Sequence, residues 1–100
     1  MNGFSSSGSV RLAADSVIGV SGKPVRIFSA TWLSGAGGAG ELVVRAGTAD
    51  TDSAVITVDG SAASVTTTQN FENGLLFPSG AFFDIDTNID AVVFEIRVEA

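Results

Sequence analysis

The chain has 100 residues, with 11 acidic and 5 basic side chains, a net charge of −6 and neither cysteine nor histidine. This length allows one domain around one hydrophobic core, with no disulfide to support it. An acidic balance disfavours binding to a phosphate backbone. No basic segment followed by an apolar run predicts a signal peptide, and no apolar run is long enough to predict a membrane span. We therefore expect neither a nucleic-acid partner nor a membrane partner.

Charged residues make up only 16% of the chain, whereas an average soluble domain carries about 25%. Alanine, glycine, serine and threonine fill many of the remaining positions, and they alone could give a neutral monomer. The other explanation is that neighbouring subunits cover part of the surface, because charge is depleted at the centres of protein interfaces. The composition thus favours a protein that works in an assembly.

The first part of the chain predicts an arm followed by strands. Residues 1–9 are rich in glycine and serine and predict a flexible arm with Phe4 as its only large anchor. A single β domain then spans residues 10–100. Short apolar runs at residues 10–13 and 17–20 predict weak edge strands, and residues 25–33 predict a long strand. Alternation in the long strand places Phe28 and Trp32 on one face and Val25 and Ile27 on the other.

The middle of the chain predicts two hairpins. Residues 34–40 read SGAGGAG, but no Lys followed by Ser or Thr follows them, so a phosphate-binding loop is excluded. We expect this loop to be a long hairpin connection to an antiparallel strand at residues 41–46. Asp59-Gly60 predicts a second hairpin, joining residues 54–58 to residues 63–68. Residues 69–74 then break the pattern before a short apolar piece at 75–77.

The end of the chain has the clearest strand pattern. Val92, Phe94, Ile96 and Val98 share one side of an alternating run, after short apolar residues at 81–83. No window has a helical stripe, and about eight short strands are spaced as in sandwiches and barrels. The predicted fold is all-β, a small antiparallel β-sandwich or jelly-roll-like barrel.

The sequence contains few residues that could act in catalysis. Without histidine, cysteine or tyrosine, only carboxylates could act as general acid or base near neutral pH. Asp84 and Asp86 would share a face of an extended segment, as two carboxylates do in glycosidases. Turn formation explains these acids better, since Asp and Asn bond their own backbone in turns. We expect no enzymatic activity.

A weak calcium pattern lies in the same segment. Asp84, Asp86, Asn88 and Asp90 repeat part of the spacing of an EF-hand loop. Ile89 stands where that loop needs glycine, and a strand follows where it needs a helix, so these four are weak metal candidates and no cofactor is assigned. A stand-alone binding module for calcium or glycan is the alternative function. Glycan recognition would need exposed aromatic rings, and Trp32 is the only Trp in a chain without Tyr.

Two longer stretches carry a family resemblance. They are TWLSGAGGAGELVVRAG, a strand ending in a Gly-Ala loop, and FPSGAFFDIDTNIDAVVFEIRVEA, a Phe-Pro-x-Gly turn followed by an acidic turn and an alternating strand. From about Lys23 onward the chain resembles small capsid-associated virion proteins of marine tailed bacteriophages, of the decoration or cement type. The resemblance implies a small β-sandwich or jelly-roll subunit, often trimeric, and a virion location after synthesis in the host cytoplasm. It carries no catalytic residues.

Together, composition and resemblance predict the partners of the chain. We expect it to contact copies of itself, as a homotrimer, and the major capsid protein or another virion protein. Large aromatic side chains dominate such contacts. The candidate interface residues are Phe4, Phe28, Trp32, Phe82 and Phe83.

Overall fold

The computed structural model describes residues 6–99, which form an all-β sandwich and confirm the predicted fold class. No helix long and apolar enough to cross a membrane occurs among these residues. The strands are β1 (Ser6–Leu12), β2 (Ser16–Ile18), β3 (Val25–Ser34), β4 (Glu41–Ala46), β5 (Ala54–Asp59), β6 (Thr66–Phe77), β7 (Ala81–Asp84) and β8 (Ile89–Val98).

Two four-stranded antiparallel sheets face each other. One has the order β1-β8-β3-β6 and the other the order β2-β7-β4-β5. Only β4 and β5 follow each other in the chain within one sheet, and every other connection crosses between the sheets. Eight strands arranged in this way form a jelly roll, the second of the two predicted architectures.

The core lies between the sheets. The inner face of β8 is Val92, Phe94 and Ile96, as the alternating pattern predicts. The ring of Phe94 meets that of Phe83 from the other sheet edge-on, with centroids 5.6 Å apart and an interplanar angle of 72°. Such aromatic pairs contribute about 0.5–1.5 kcal/mol beyond the apolar area they bury.

A bulge changes the face that β3 presents to the core. Val25 and Ile27 point inward, but the register shifts at Phe28, so Ala30 and Trp32 point inward after it. Opposite the bulge, β6 takes extra residues, and Asn73 and Gly74 have φ values of 64° and 76°. The predicted separation of Trp32 from Val25 is therefore wrong, because strict alternation cannot anticipate an inserted residue.

The same bulge accounts for the break that the sequence predicts within β6. Residues 69–74, predicted as a break, stay within the twelve-residue strand but depart from regular pairing with β3 beyond Asn70. A side chain at Gly74 would collide with Arg26 and Phe28 on β3. Glycine is needed there both for its positive φ and for the close approach of β3.

Both predicted hairpins are wrong. β3 and β4 belong to different sheets, as do β5 and β6, so loops 35–40 and 60–65 are crossings between layers. The hairpin in this region joins β4 to β5, with Glu41 opposite Asp59. Turn residues mark where a strand ends, but they do not say which sheet the next strand joins.

Part of the segment predicted as a flexible arm, residues 6–9, lies in a strand. Ser6 to Ser9 form the first half of β1, where Ser6 lies opposite Val98 and Ser9 opposite Glu95. Ser9 Oγ also donates to the Glu95 carboxylate at 2.6 Å. Regular pairing with β8 therefore includes Ser6, and Phe4 lies outside the described residues.

The two crossing loops meet at Gly40. Its carbonyl oxygen accepts the Trp32 indole N–H at 3.1 Å and the Gly60 N–H at 2.8 Å. Its own N–H donates to the buried Ser34 hydroxyl at 3.1 Å. A methyl group on Gly40 would overlap the Ile89 side chain and come within 2.7 Å of the Asn88 carbonyl oxygen. The site is closed to any larger residue.

Gly40→Ala should therefore destabilise the fold by roughly 1–3 kcal/mol, the usual cost of overpacking a closed site. The measurement is the free energy of unfolding from urea denaturation. Gly8→Ala is the matched control, because a methyl group at Gly8 has nothing within 4 Å. Equal stability of the two variants would contradict a closed site at Gly40.

Candidate assembly surface

The predicted interface residues divide into two groups. Trp32 and Phe83 are fully buried in the core, so in the folded subunit their rings have no surface to offer a neighbour. Phe28 and Phe82 are half-buried on the outer faces of the two sheets. As contact residues for another subunit, these two stay a prediction. The structure does not bring them together, since they lie on different sheets.

Phe28 lies within a charged cluster at one end of the β1-β8-β3-β6 sheet. The Arg97 guanidinium stands 5.6 Å from the centre of its ring. Glu99 joins the cluster through Arg97 at 3.2 Å and Arg26 at 3.3 Å. The hydrogen bond from Arg97, followed by that from Arg26, lowers the pKa of Glu99 despite an opposing effect of burial. The cluster ties the end of β8 to β3.

Phe82 lies on the outer face of the β2-β7-β4-β5 sheet. Its register neighbours are Val17 on β2 and Arg45 on β4. Arg45 pairs with Asp84 at 2.9 Å and donates to the carbonyl oxygen of Asp52 at 3.0 Å. The guanidinium group of Arg45 therefore has its partners within the subunit.

The four weak metal candidates point to different places. Asp84 is bound to Arg45, and Asp86 Oδ2 accepts the Glu41 N–H at 2.7 Å. The Asn88 side chain lies against the glycine loop, where a methyl group on Gly37 would come within 2.9 Å of its Oδ1, and Asp90 borders a groove on the β1-β8-β3-β6 sheet. Within residues 6–99, no three carboxylates, histidines or cysteines form a group that could hold a metal ion.

Sequence reasoning missed an apolar groove on the outer face of the β1-β8-β3-β6 sheet. It is open and shallow, with a volume of about 260 Å³. Leu33 and Val93 form its exposed apolar floor, and Arg11 and Asp90 lie on its border. The complete lining is Arg11, Thr31, Trp32, Leu33, Thr66, Asp90, Ala91 and Val93.

The sequence did contain a signal for this groove. Val93 falls on the outer side of the alternating run in β8, where a solvated strand normally carries a polar residue. Leu33 follows the core residue Trp32 in β3, so it too must point outward. The register then brings these residues into adjacent rows, with Leu33 opposite Ala91 and Thr31 opposite Val93. The sequence alone does not show that these residues form one surface, because this depends on how the strands pair.

Comparisons with known proteins place the chain in no family. No protein-family model matches it, and no curated protein matches it. Among solved structures it is similar to a chain from Bacillus endospore appendages, described as a novel family of disulfide-linked pili. The identity is 12%, the match covers 98% of this chain and 88% of that one, and the TM-score is 0.49.

A second similar structure is a chain of infectious bursal disease virus, Gx strain. The identity is 14%, the match covers 99% of this chain and 25% of that one, and the TM-score is 0.30. Similarity at these levels transfers no function. The disulfide linkage named for the appendages has no counterpart here, because this chain has no cysteine. Functional arguments must therefore come from its own residues.

The Glu99 cluster gives a pH-dependent contribution to stability. Because the folded-state pKa of Glu99 is lowered, its contribution is complete above the ordinary pKa of a glutamate and is lost as pH falls through the lowered value. Glu99→Gln should reduce the free energy of unfolding at neutral pH, and the difference from wild type should disappear in acid. Urea denaturation at several pH values measures this difference.

Glu72→Gln is the control for that experiment, since Glu72 is exposed and outside the ion pairs described for residues 6–99. A difference between wild type and Glu99→Gln that stayed constant from neutral to acidic pH would contradict the assigned role of the carboxylate charge.

The scattered acids also give a prediction for calcium. The melting temperature should be the same in calcium and in excess chelator, because the carboxylates of Asp84 and Asp86 already have partners within the chain. A calcium site would add about 2.7 kcal/mol of stability at a calcium concentration 100 times its Kd. This would raise the melting temperature by several degrees. Such a rise, measured by scanning calorimetry, would restore the calcium hypothesis.

Proposed function

We propose that the chain is a non-enzymatic structural protein of a bacteriophage virion. In this role it is a capsid decoration or cement subunit that forms a homotrimer and binds the major capsid protein or another virion protein. The observation that carries the proposal is the apolar groove around Leu33 and Val93, whose lining contains only two charged residues, Arg11 and Asp90. The role of such a subunit is to bury this face at a junction of the shell.

The magnitude of this burial suits a repeated contact. Leu33 is 43% exposed and Val93 is 36% exposed. Burying a whole side chain of this size is worth about 1.5–3 kcal/mol, so the remaining exposed parts contribute about 1 kcal/mol each. That is too little for a tight one-to-one complex after the cost of association. In a symmetric shell the same contact recurs at every equivalent position, so small contributions accumulate.

The distribution of charge supports a covered surface. Arg26 and Arg97 share the Glu99 carboxylate at one end of the sheet, while Arg45 and Asp84 form a one-to-one pair on the other sheet. Asp52 accepts two backbone N–H groups in its own turn. Much of a small set of charges therefore has partners within the subunit, and the groove between them is lined mostly by uncharged residues. Centres of interfaces have this character.

The aromatic residues favour a structural role over glycan binding. Jelly rolls occur in both viral capsid and lectin domains, so the fold allows either. Trp32 and Phe83 are in the core, and no aromatic ring in residues 6–99 is fully exposed. A glycan-stacking platform would have to use half-buried rings. The resemblance to phage decoration proteins supports the same choice.

The positions of the carboxylates support the absence of catalysis in this proposal. Asp84 is bound by Arg45 and Asp86 by the Glu41 N–H, so neither is a free general acid or base. The chain contains no histidine, cysteine or tyrosine that could take their place.

The test is retention of the chain on purified particles of the virus that encodes it. Leu33→Asp should remove it from the particles without unfolding it, because the buried contact would have to desolvate a carboxylate. Val55→Asp is the matched control, since Val55 is 52% exposed but lies on the β2-β7-β4-β5 sheet. Mass spectrometry of the particles measures retention, and circular dichroism confirms folding.

Leu33→Asp should reduce retention at least tenfold, while Val55→Asp should remain at wild-type levels. Equal retention of the two variants would contradict the groove as the attachment face. Absence of the wild-type chain from purified particles would overturn the virion role itself.

A further inference from the structure

The four outer strands of the sandwich differ in how well they are protected against pairing with another chain. Exposed edge strands are normally blunted by charge, proline, a bulge or short length. β2 has only three residues, and β5 has a register shift near its start and an aspartate at its end. β1 carries Arg11. Each of these three edges has at least one protective feature.

The first half of β6 has none of them. Residues 66–70 read TTTQN, with no charge, no proline and regular pairing to β3 throughout. Threonine also favours strands strongly. Protection begins only at Glu72 and at the positive φ values of Asn73 and Gly74. One side of this segment is bound to β3, and within residues 6–99 no strand pairs with the other side.

The register shows which backbone groups face the open side. Ser34 N–H donates to the Val65 carbonyl oxygen at 3.1 Å, so Val65 is in a hydrogen-bonded position opposite β3. In an antiparallel ladder these positions alternate. The N–H and C=O groups of Thr66, Thr68 and Asn70 therefore point away from β3. The Asn70 carbonyl oxygen there accepts the Gln69 side-chain amide, at 3.2 Å.

We propose that this edge is a two-fold pairing site for a second copy of the same chain, with the axis at Thr68. Antiparallel pairing in this register places Thr68 opposite its own copy and Thr66 opposite Asn70 of the second copy. Each of these facing pairs exchanges both of its N–H···O bonds. No charged residue lies within the paired segment, so the strand meets itself without like-charge repulsion.

The residues that flank the segment argue for self-pairing in particular. Val65 and Phe71 lie just outside the two ends of the regular segment, so the two-fold axis brings each Val65 near the Phe71 of the other copy. Val65 is 40% exposed, and Phe71 is only partly buried against the core. Cross-strand pairs of an aromatic and a β-branched side chain are favourable. A two-fold contact requires such self-complementarity, and an unrelated partner would not.

Pairing at this edge joins two β1-β8-β3-β6 sheets into one continuous sheet. It leaves the floor of the groove, Leu33 and Val93, on the sheet face, and only Thr66 belongs to both surfaces. This inference therefore does not depend on the virion role. A trimer has no two-fold axis between its own subunits, so in a trimeric protein the edge would link one trimer to the next.

A single engineered thiol tests the contact, because the natural chain has no cysteine. In a hydrogen-bonded antiparallel pair, facing Cα atoms are about 5.5 Å apart, within the range of roughly 4.4–6.8 Å that a disulfide spans. The Thr68→Cys variant of the full chain should therefore convert to a covalent dimer under mild oxidation. The matched control is Thr57→Cys, an exposed threonine of edge strand β5 in the other sheet.

Non-reducing electrophoresis should show at least tenfold faster dimer formation for Thr68→Cys than for Thr57→Cys. Equal rates would overturn the proposal. Amide exchange of the unmodified chain gives an independent measurement that needs no variant. Thr66, Thr68 and Asn70 should become more protected as concentration rises, and exchange independent of concentration would also overturn it. Neither measurement uses a virus particle, so its outcome is separate from that of the Leu33 experiment.

Discussion

The carbonyl oxygen of Gly40 is the point on which this jelly roll depends. Two chain segments must cross between the sheets at the same end of the sandwich, and Gly40 receives a hydrogen bond from each side. Trp32 reaches it from the core and Gly60 from the second crossing. In a fold whose connections almost all change sheets, the loops cannot be stabilised as hairpins are. Buried hydrogen bonds, which are costly to leave unmade, fix their path instead.

Much of the fold could be predicted from the sequence, because strand formation follows local alternation. The inner face of β8 and the limits of β4 agree with the predicted pattern. The topology could not be predicted, since Asp59-Gly60 marks a turn whether the next strand pairs with the last one or crosses to the other sheet. The bulge at Phe28 could not be predicted either. It depends on extra residues in β6, which are distant in the sequence but adjacent in the sheet.

The candidate site could be predicted less well for a related reason. Aromatic residues were expected at a contact surface, but a small sandwich needs large side chains to fill its core, and Trp32 and Phe83 are used there. The surfaces left for partners are made of smaller residues, Leu33 and Val93 on a face and threonines on an edge. Such residues are common in strands everywhere. They can be recognised as a contact surface only when the strand register shows which of them are neighbours.

The pairing of β1 with β8 has a consequence for how the domain can be joined to other chains. Ser6 lies opposite Val98, so the beginning and the end of the sandwich leave it side by side. Neighbouring ends let a domain be inserted into a loop of another protein or be circularly permuted without disturbing its core. The Arg26–Glu99 ion pair and the hydrogen bond from Glu99 N–H to the Pro24 carbonyl oxygen keep the last strand attached to β3 at this corner. A fused peptide would thus extend from a fixed base, which suits this small scaffold to carrying foreign segments.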